Sequence, residues 1–338
     1  MSAAASAEDH AQDTRHAAPA PWAMSLAGWK DVLVRTAKET SSDNVGLVAA
    51  GVSFYSFLAL LPLLGAIVLS YGILADPQTV LDNMNAMTKV MPQDIAKLIG
   101  EQLMYVVQSS SGKKGFGVLI ALALALFSAR NGASAIVTAL NIAYEEEEAR
   151  GFIKVNLLAL AITAAAVVVA VLALLAVALM TRVETFLPTS PLVSFALQVV
   201  SYLVLVGVAA GAAALLYRFG PSREKARWTW LSAGSLLFAL AWVGLTVGFG
   251  TYVANFGNYS ATYGSLATVV ILLTWLYLSS YLLVFGAELN CELEHQTRRD
   301  TTSGPELPLG QRGAWSADHV ASGTDTKAQR NPDAGDTA

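Results

Sequence analysis

Gly117 to Tyr144 reads GVLIALALALFSARNGASAIVTALNIAY. Its first half is almost pure Leu and Ala, with no proline to break a helix. Arg130 then stands in the middle, followed by Asn131 and Gly132. Ending the apolar run before the arginine leaves 13 residues from Gly117, too few to cross a hydrocarbon layer of about 30 Å, which takes roughly 20 residues. The run crosses only if the arginine is inside it. The question is therefore which solvent the segment meets, and composition answers it.

The chain has 338 residues, of which 54% are hydrophobic and 14% charged. Soluble proteins carry roughly 25% charged residues. The charges cluster at the two ends and in short loops, and the stretches between them are long enough to span. The sequence predicts an all-α, polytopic membrane protein with six transmembrane helices: about Val45–Leu74, the Gly117–Tyr144 segment, Val155–Met180, Leu192–Tyr217, Trp228–Phe249 and Tyr263–Ala287. Residues 1–25 read as a disordered tail without the apolar core of a signal peptide. Residues 26–295 form the membrane domain, and 296–338 read as a second disordered tail. Within the domain, 28–40 suggests a helix on the membrane surface. The external connection 75–114 suggests two short helices, the first capped by Asp76-Pro77.

With six spans both termini share a side. The connections on that side hold fifteen Lys and Arg and the opposite ones five. The bias places both termini in the cytoplasm of a multi-pass protein of the inner membrane. The acidic run Glu145–Glu148 reads as a solvated loop. Tyr252, Phe256, Tyr259 and Tyr263 read as interfacial anchors.

No histidine pair has metal-ligand spacing, and Cys291 is the single cysteine, so neither a metal site nor a disulfide is expected. Phosphate-binding loops and nucleophile elbows are absent as well. We expect no enzyme activity, no cofactor and no nucleic-acid partner. Membrane lipids are the expected partners, with a homo-oligomer as an open option. Gly207-x-x-x-Gly211 and Gly244-x-x-x-Gly248 permit close helix approach, and packing within the chain is favoured over dimerisation. Pro62 should kink the first span. Ser53, Tyr55 and Ser56 stand before it, either lining a polar path or bonding backbone groups freed by the kink.

Three stretches resemble the BrkB/YihY family of bacterial inner-membrane proteins. They are DNVGLVAAGVSFYSFLALLPLLGAIV from Asp43, SARNGASAIVTALNIAYEEEEARGF with Arg130, Leu140-Asn141 and Arg150, and the closing YGSLATVVILLTWLYLSSYLLVFGAELNCELE. The last carries Tyr263-Gly264, Trp275 and Gly286-Ala287-Glu288-Leu289-Asn290. The resemblance covers residues 28–295. It implies a link to virulence and serum resistance in some members, and to movement of lipids or lipid-like molecules in others. An old label of tRNA-processing ribonuclease finds no nuclease-like cluster here. No catalytic residue carries over.

Two functions compete. One is a secondary transporter or translocator of a lipid or other anionic amphiphile. The other is a non-transporting scaffold of the envelope. No inverted repeat is evident, which weakens the first. The polar residues of the spans make a candidate intramembrane site: Arg130, Glu288, Asn131, Asn141, Ser53, Tyr55 and Ser56. Arg130 either snorkels to the inner headgroups, or faces the bundle and pairs with Glu288 or lines with it a cytoplasm-facing polar cavity that receives an anionic group.

Overall fold

The computed structural model describes residues 18–74, 116–186, 191–255 and 265–321. The expected helices of 75–114, and Phe256, Tyr259 and Tyr263, lie outside the described residues. Most of the described residues are helical, and none forms a strand. Helix α1 is Leu26–Ser42, α2 Val45–Leu74, α3 Phe116–Ala143, α4 Phe152–Phe186, α5 Pro191–Phe219, α6 Trp228–Asn255, α7 Ser265–His295 and α8 Trp315–Asp318. By length and composition, α3 to α7 can each cross a membrane, and α1 with the first half of α2 makes a sixth candidate, bent by 63°. Each expected span is a helix, and α7 runs two turns beyond its expected end at Ala287.

The ends of the helices nearest the chain termini gather into one dense base. Val45, Leu140, Ala143, Tyr217, Leu231, Val284, Ala287 and Cys291 form its buried core. Helices α2, α3 and α4 pack as one group, and α5, α6 and α7 follow one another as a second. The seam between the groups is α7, which packs on α2 and α3. Away from the base the packing thins. Only 6% of the residues in the apolar window of α5 are buried, and the same share of α6.

The glycines that bring helices together are not those of the G-x-x-x-G pairs. A Cβ added at Gly207, Gly211, Gly244 or Gly248 would meet nothing within 4 Å. The expectation that they pack inside the chain is corrected: all four face open space. The close crossing is between α6 and α7. There a Cβ on Gly234 would lie 2.1 Å from the Gly286 carbonyl oxygen, and one on Gly286 would lie 2.5 Å from the Tyr217 hydroxyl. These glycines stand singly in sequence, so no spacing marks them.

Both tails need correction where they are described. Residues 18–24 pack against α1, α6 and α7, through Ala18, Met24, Val32, Trp230, Leu289 and Leu293. Trp29 Nε1 donates to the Pro21 carbonyl at 3.1 Å. Residues 296–321 fold over the base. Arg312 is buried and donates to the carbonyls of Arg298, Leu307 and Ala317 at 2.8, 3.0 and 2.7 Å. Asp318 accepts from the amides of Gly310, Arg312 and Gly313. Ala226 and Thr302 form an antiparallel bridge. The segment is polar, and its order comes from hydrogen bonds to charged groups, each worth about 1.5–3 kcal/mol, rather than from a core of its own. Deleting 300–338 should therefore lower the melting temperature in detergent by at least several degrees.

Candidate functional site

The expected Arg130–Glu288 pair is absent, because the two side chains leave their helices on different faces. Arg130 Nη1 donates to Asn156 Oδ1 of α4 at 2.5 Å, and its guanidinium stacks 4.7 Å over the Phe127 ring. It takes a neutral amide on the next span. Asn131 is exposed and belongs to no polar cluster. Gly132 instead marks a close approach, its missing Cβ lying 3.1 Å from Ala59 Cβ of α2.

Ser53 is buried and its hydroxyl donates to the Ala50 carbonyl at 2.8 Å. That carbonyl lies well before the one Pro62 leaves free, so Ser53 does not satisfy the proline. Tyr55 is exposed and meets Phe54 edge to face. Ser56 backs onto Gly132. Pro62 lies within a helix that continues to Leu74. These residues line no shared path.

Asn141 is buried beneath the loop after α3. Its Nδ2 donates to Glu148 Oε2 at 3.0 Å, and its Oδ1 accepts from the Ser222 amide at 2.7 Å. The amide thus ties the 145–150 loop to the 220–227 loop. The four-glutamate run is not simply solvated. Glu146 accepts from the Trp315 amide at 2.8 Å, and burial raises its pKa. Glu148 is held down to about 2, first by its hydrogen bond from Arg150.

The charge chemistry concentrates on the last three turns of α7, where two stripes diverge. Positions 286, 290 and 294 repeat every four residues and share one helix face. Gly286 admits α6. Asn290 Oδ1 accepts from the Gly234 amide at 2.8 Å, and its Nδ2 donates to the Leu231 carbonyl at 3.3 Å. Glu294 receives Arg223 through both carboxylate oxygens, at 3.2 and 2.6 Å, with both side chains almost fully buried.

Positions 288 and 292 form the other stripe, towards α1. Arg35 of α1 is fully buried. Its Nε donates to Glu292 Oε2 and its Nη2 to Gln296 Oε1 at 2.8 Å. His295 Nδ1 lies 3.5 Å from Glu292 Oε1. Helix α1 is thus more than a helix resting on a membrane, because its buried face is polar and docks on α7. Glu288 is 2% exposed, and its carboxylate interacts with those of Asp43, Glu292 and Glu39.

The sequence reading missed Arg35, Glu292, Glu294, Asn290 and Arg223. One signal was available. Acids at 288 and 292 opposite Arg35 and Glu39, each pair at i and i+4, are helical stripes of charge beside apolar spans.

Comparison with known proteins gives a consistent picture. The family described as Virulence factor BrkB matches residues 36–308. The chain is 32% identical over 193 residues to the ribonuclease-like protein YfkH of Bacillus subtilis (strain 168), covering 56% of this chain and 68% of that one. It is 26% identical over 269 residues to a UPF0761 membrane protein of Delftia acidovorans, 77% of this chain and 61% of the relative. A UPF0761 membrane protein of Tolumonas auensis is 36% identical over 114 residues, 33% of this chain and 36% of its own length. The match to that last relative thus spans about a third of it. No solved structure matches.

Proposed function

The chain belongs to the family of the virulence factor BrkB, and from that membership and the uneven packing of its bundle we propose that it moves a lipid or other anionic amphiphile across the membrane, without covalent chemistry. The observation that carries the reading is on α5. Tyr202, Leu203, Val204 and Leu205 are consecutive and all exposed. Four residues exceed one helical turn, so every face of α5 is partly exposed at that level. The helix ends pack densely at the base, and the apolar stretches of α5 and α6 are sparsely covered beyond it. Such an arrangement can part along an apolar seam that suits acyl chains, while the base stays latched.

The base carries Arg218, Lys225, Arg227, Arg298 and Arg299. On the positive-inside rule it faces the cytoplasm, and its cations suit an anionic headgroup. The scaffold reading draws on a different observation: Arg130, a cation inside a span, already has a neutral partner.

Reconstitution into liposomes with fluorescent phospholipids of several headgroups separates the two. We expect transfer of anionic lipid above that of empty liposomes. No transfer above that of empty liposomes for any headgroup, with or without an imposed ion gradient, would overturn translocation and leave the scaffold.

A further inference from the structure

Three carboxylates converge where α1 turns into α2. Glu39 is on the last turns of α1, Asp43 is in the hinge itself, and Glu145 follows the end of α3. One oxygen from each lies within 4.8 Å of the others. Glu39 is buried, and the other two are half-buried. Glu145 reaches the cluster from a left-handed backbone position, φ 59°, where a helix more often ends in Gly.

Acidic clusters are common, and this one alone would mean little. The second observation is Glu288. It comes from a different element, α7, and is 2% exposed, and its Oε1 has no hydrogen-bond partner. Among its neighbours the carboxylates of Asp43 and Glu39 act on it, together with Glu292. A buried carboxylate without a donor is costly, and it is more so among other carboxylates.

We propose that Glu39, Asp43, Glu145 and Glu288 bind a divalent cation at the α1–α2 hinge. The donor set is all oxygen, which is what hard cations such as Ca²⁺, Mg²⁺ and Mn²⁺ take. The spacing fits too. Oxygens coordinated at about 2.3–2.6 Å lie at most roughly 5 Å apart across the ion, and the three clustered oxygens fall inside that limit. A groove lined by Thr40, Ser41, Asn44, Gly46 and Tyr281 opens beside the same hinge.

The bound ion would tie four elements together: α1, the hinge, the end of α3 and α7. Those elements come from both helix groups, so the ion would be a clasp on the base. This inference is independent of what the protein moves. A protein that transports nothing would bind the ion equally well.

The test uses the full chain in detergent, stripped with EDTA and then titrated with Mn²⁺ or Ca²⁺. We expect a saturable rise in melting temperature, and a bound Mn²⁺ signal by electron paramagnetic resonance at one ion per chain. Glu288→Gln and Asp43→Asn should each weaken Mn²⁺ binding at least tenfold. Both should still give monodisperse protein with a cooperative melt in EDTA. That behaviour shows the variants are folded. Absence of the Mn²⁺ signal from the wild type would overturn the site. So would binding by both variants as tight as the wild type's.

Discussion

Gly234→Ala should yield little or no folded protein, whereas Gly244→Ala should purify and melt as the wild type does. Both residues lie on α6, ten positions apart, and in sequence the G-x-x-x-G spacing favours Gly244 as the packing residue. The difference is what stands opposite. A Cβ at 234 would lie 2.1 Å from the Gly286 carbonyl oxygen and 2.6 Å from the Asn290 side chain. The first of these is helix backbone and cannot swing away. The only relief is to part α6 from α7, which also breaks the Asn290 bonds to Gly234 and Leu231. Ordinary overpacking costs about 1–3 kcal/mol, and a collision with backbone belongs at or above the top of that range.

Gly286→Ala should be severe but milder. Its nearest obstacle, 2.5 Å away, is the end of the Tyr217 side chain, with the Gly234 carbonyl oxygen next at 2.9 Å. That hydroxyl can move, at the loss of its bond to the Leu283 carbonyl. Around Gly244 there is nothing to strike, and Ala favours a helix over Gly by up to about 1 kcal/mol. The measurement is the yield of monodisperse protein in mild detergent, followed by its melting temperature. If Gly234→Ala and Gly244→Ala behave alike, the α6–α7 crossing is wrong.

This contrast explains why some of the molecule was legible from sequence and some was not. Spans are legible because hydrocarbon demands a long apolar run whatever the run packs against. The second span was found from length alone, with the arginine counted inside it. Contacts between spans depend on how each helix is rotated, and apolar residues on all sides record no rotation. Hence the G-x-x-x-G spacing favoured glycines that face open space over lone glycines at a true crossing. Arg130 and Glu288 were matched by depth and charge, which ignores direction. Arg130 points to α4 and Glu288 to the hinge, so the match failed. Residues 296–321 were misread for another reason. Their composition supplies no core, and their order depends on a buried arginine and on carbonyls offered by the base. The charge stripes on α7 could have been seen. An acid every four residues at the end of a span is a face, and a face of that kind needs cations across from it.

Arg223→Met should be among the most destabilising substitutions in the chain. Arg223 lies between α5 and α6, far in sequence from the groups it holds. Its guanidinium grips Glu294 of α7 through both carboxylate oxygens. It also donates to Ser316 Oγ of α8 at 2.9 Å and lies 5.1 Å over the ring of Tyr144 at the end of α3. The loop, α3, α7 and α8 thus meet on one side chain. Both ions are dry, with side chains 2% and 0% exposed. Removing one partner from such a pair costs about 3–5 kcal/mol, because the other charge is left without water or counterion. The Thr301 hydroxyl on Glu294 at 2.7 Å is a weak substitute. The melting temperature should fall on the order of 10 °C, taking roughly 2–4 °C per kcal/mol for a large chain. The double variant Arg223→Met with Glu294→Met should recover much of that loss, since replacing both ions by apolar groups removes the desolvation cost. Arg150→Met is the control, because the Arg150–Glu148 pair is partly exposed and such pairs contribute about 0–1 kcal/mol. A double variant no better than Arg223→Met alone would mean the cost lies in the contacts to Ser316 and Tyr144. An unchanged single variant would mean that the base is latched elsewhere.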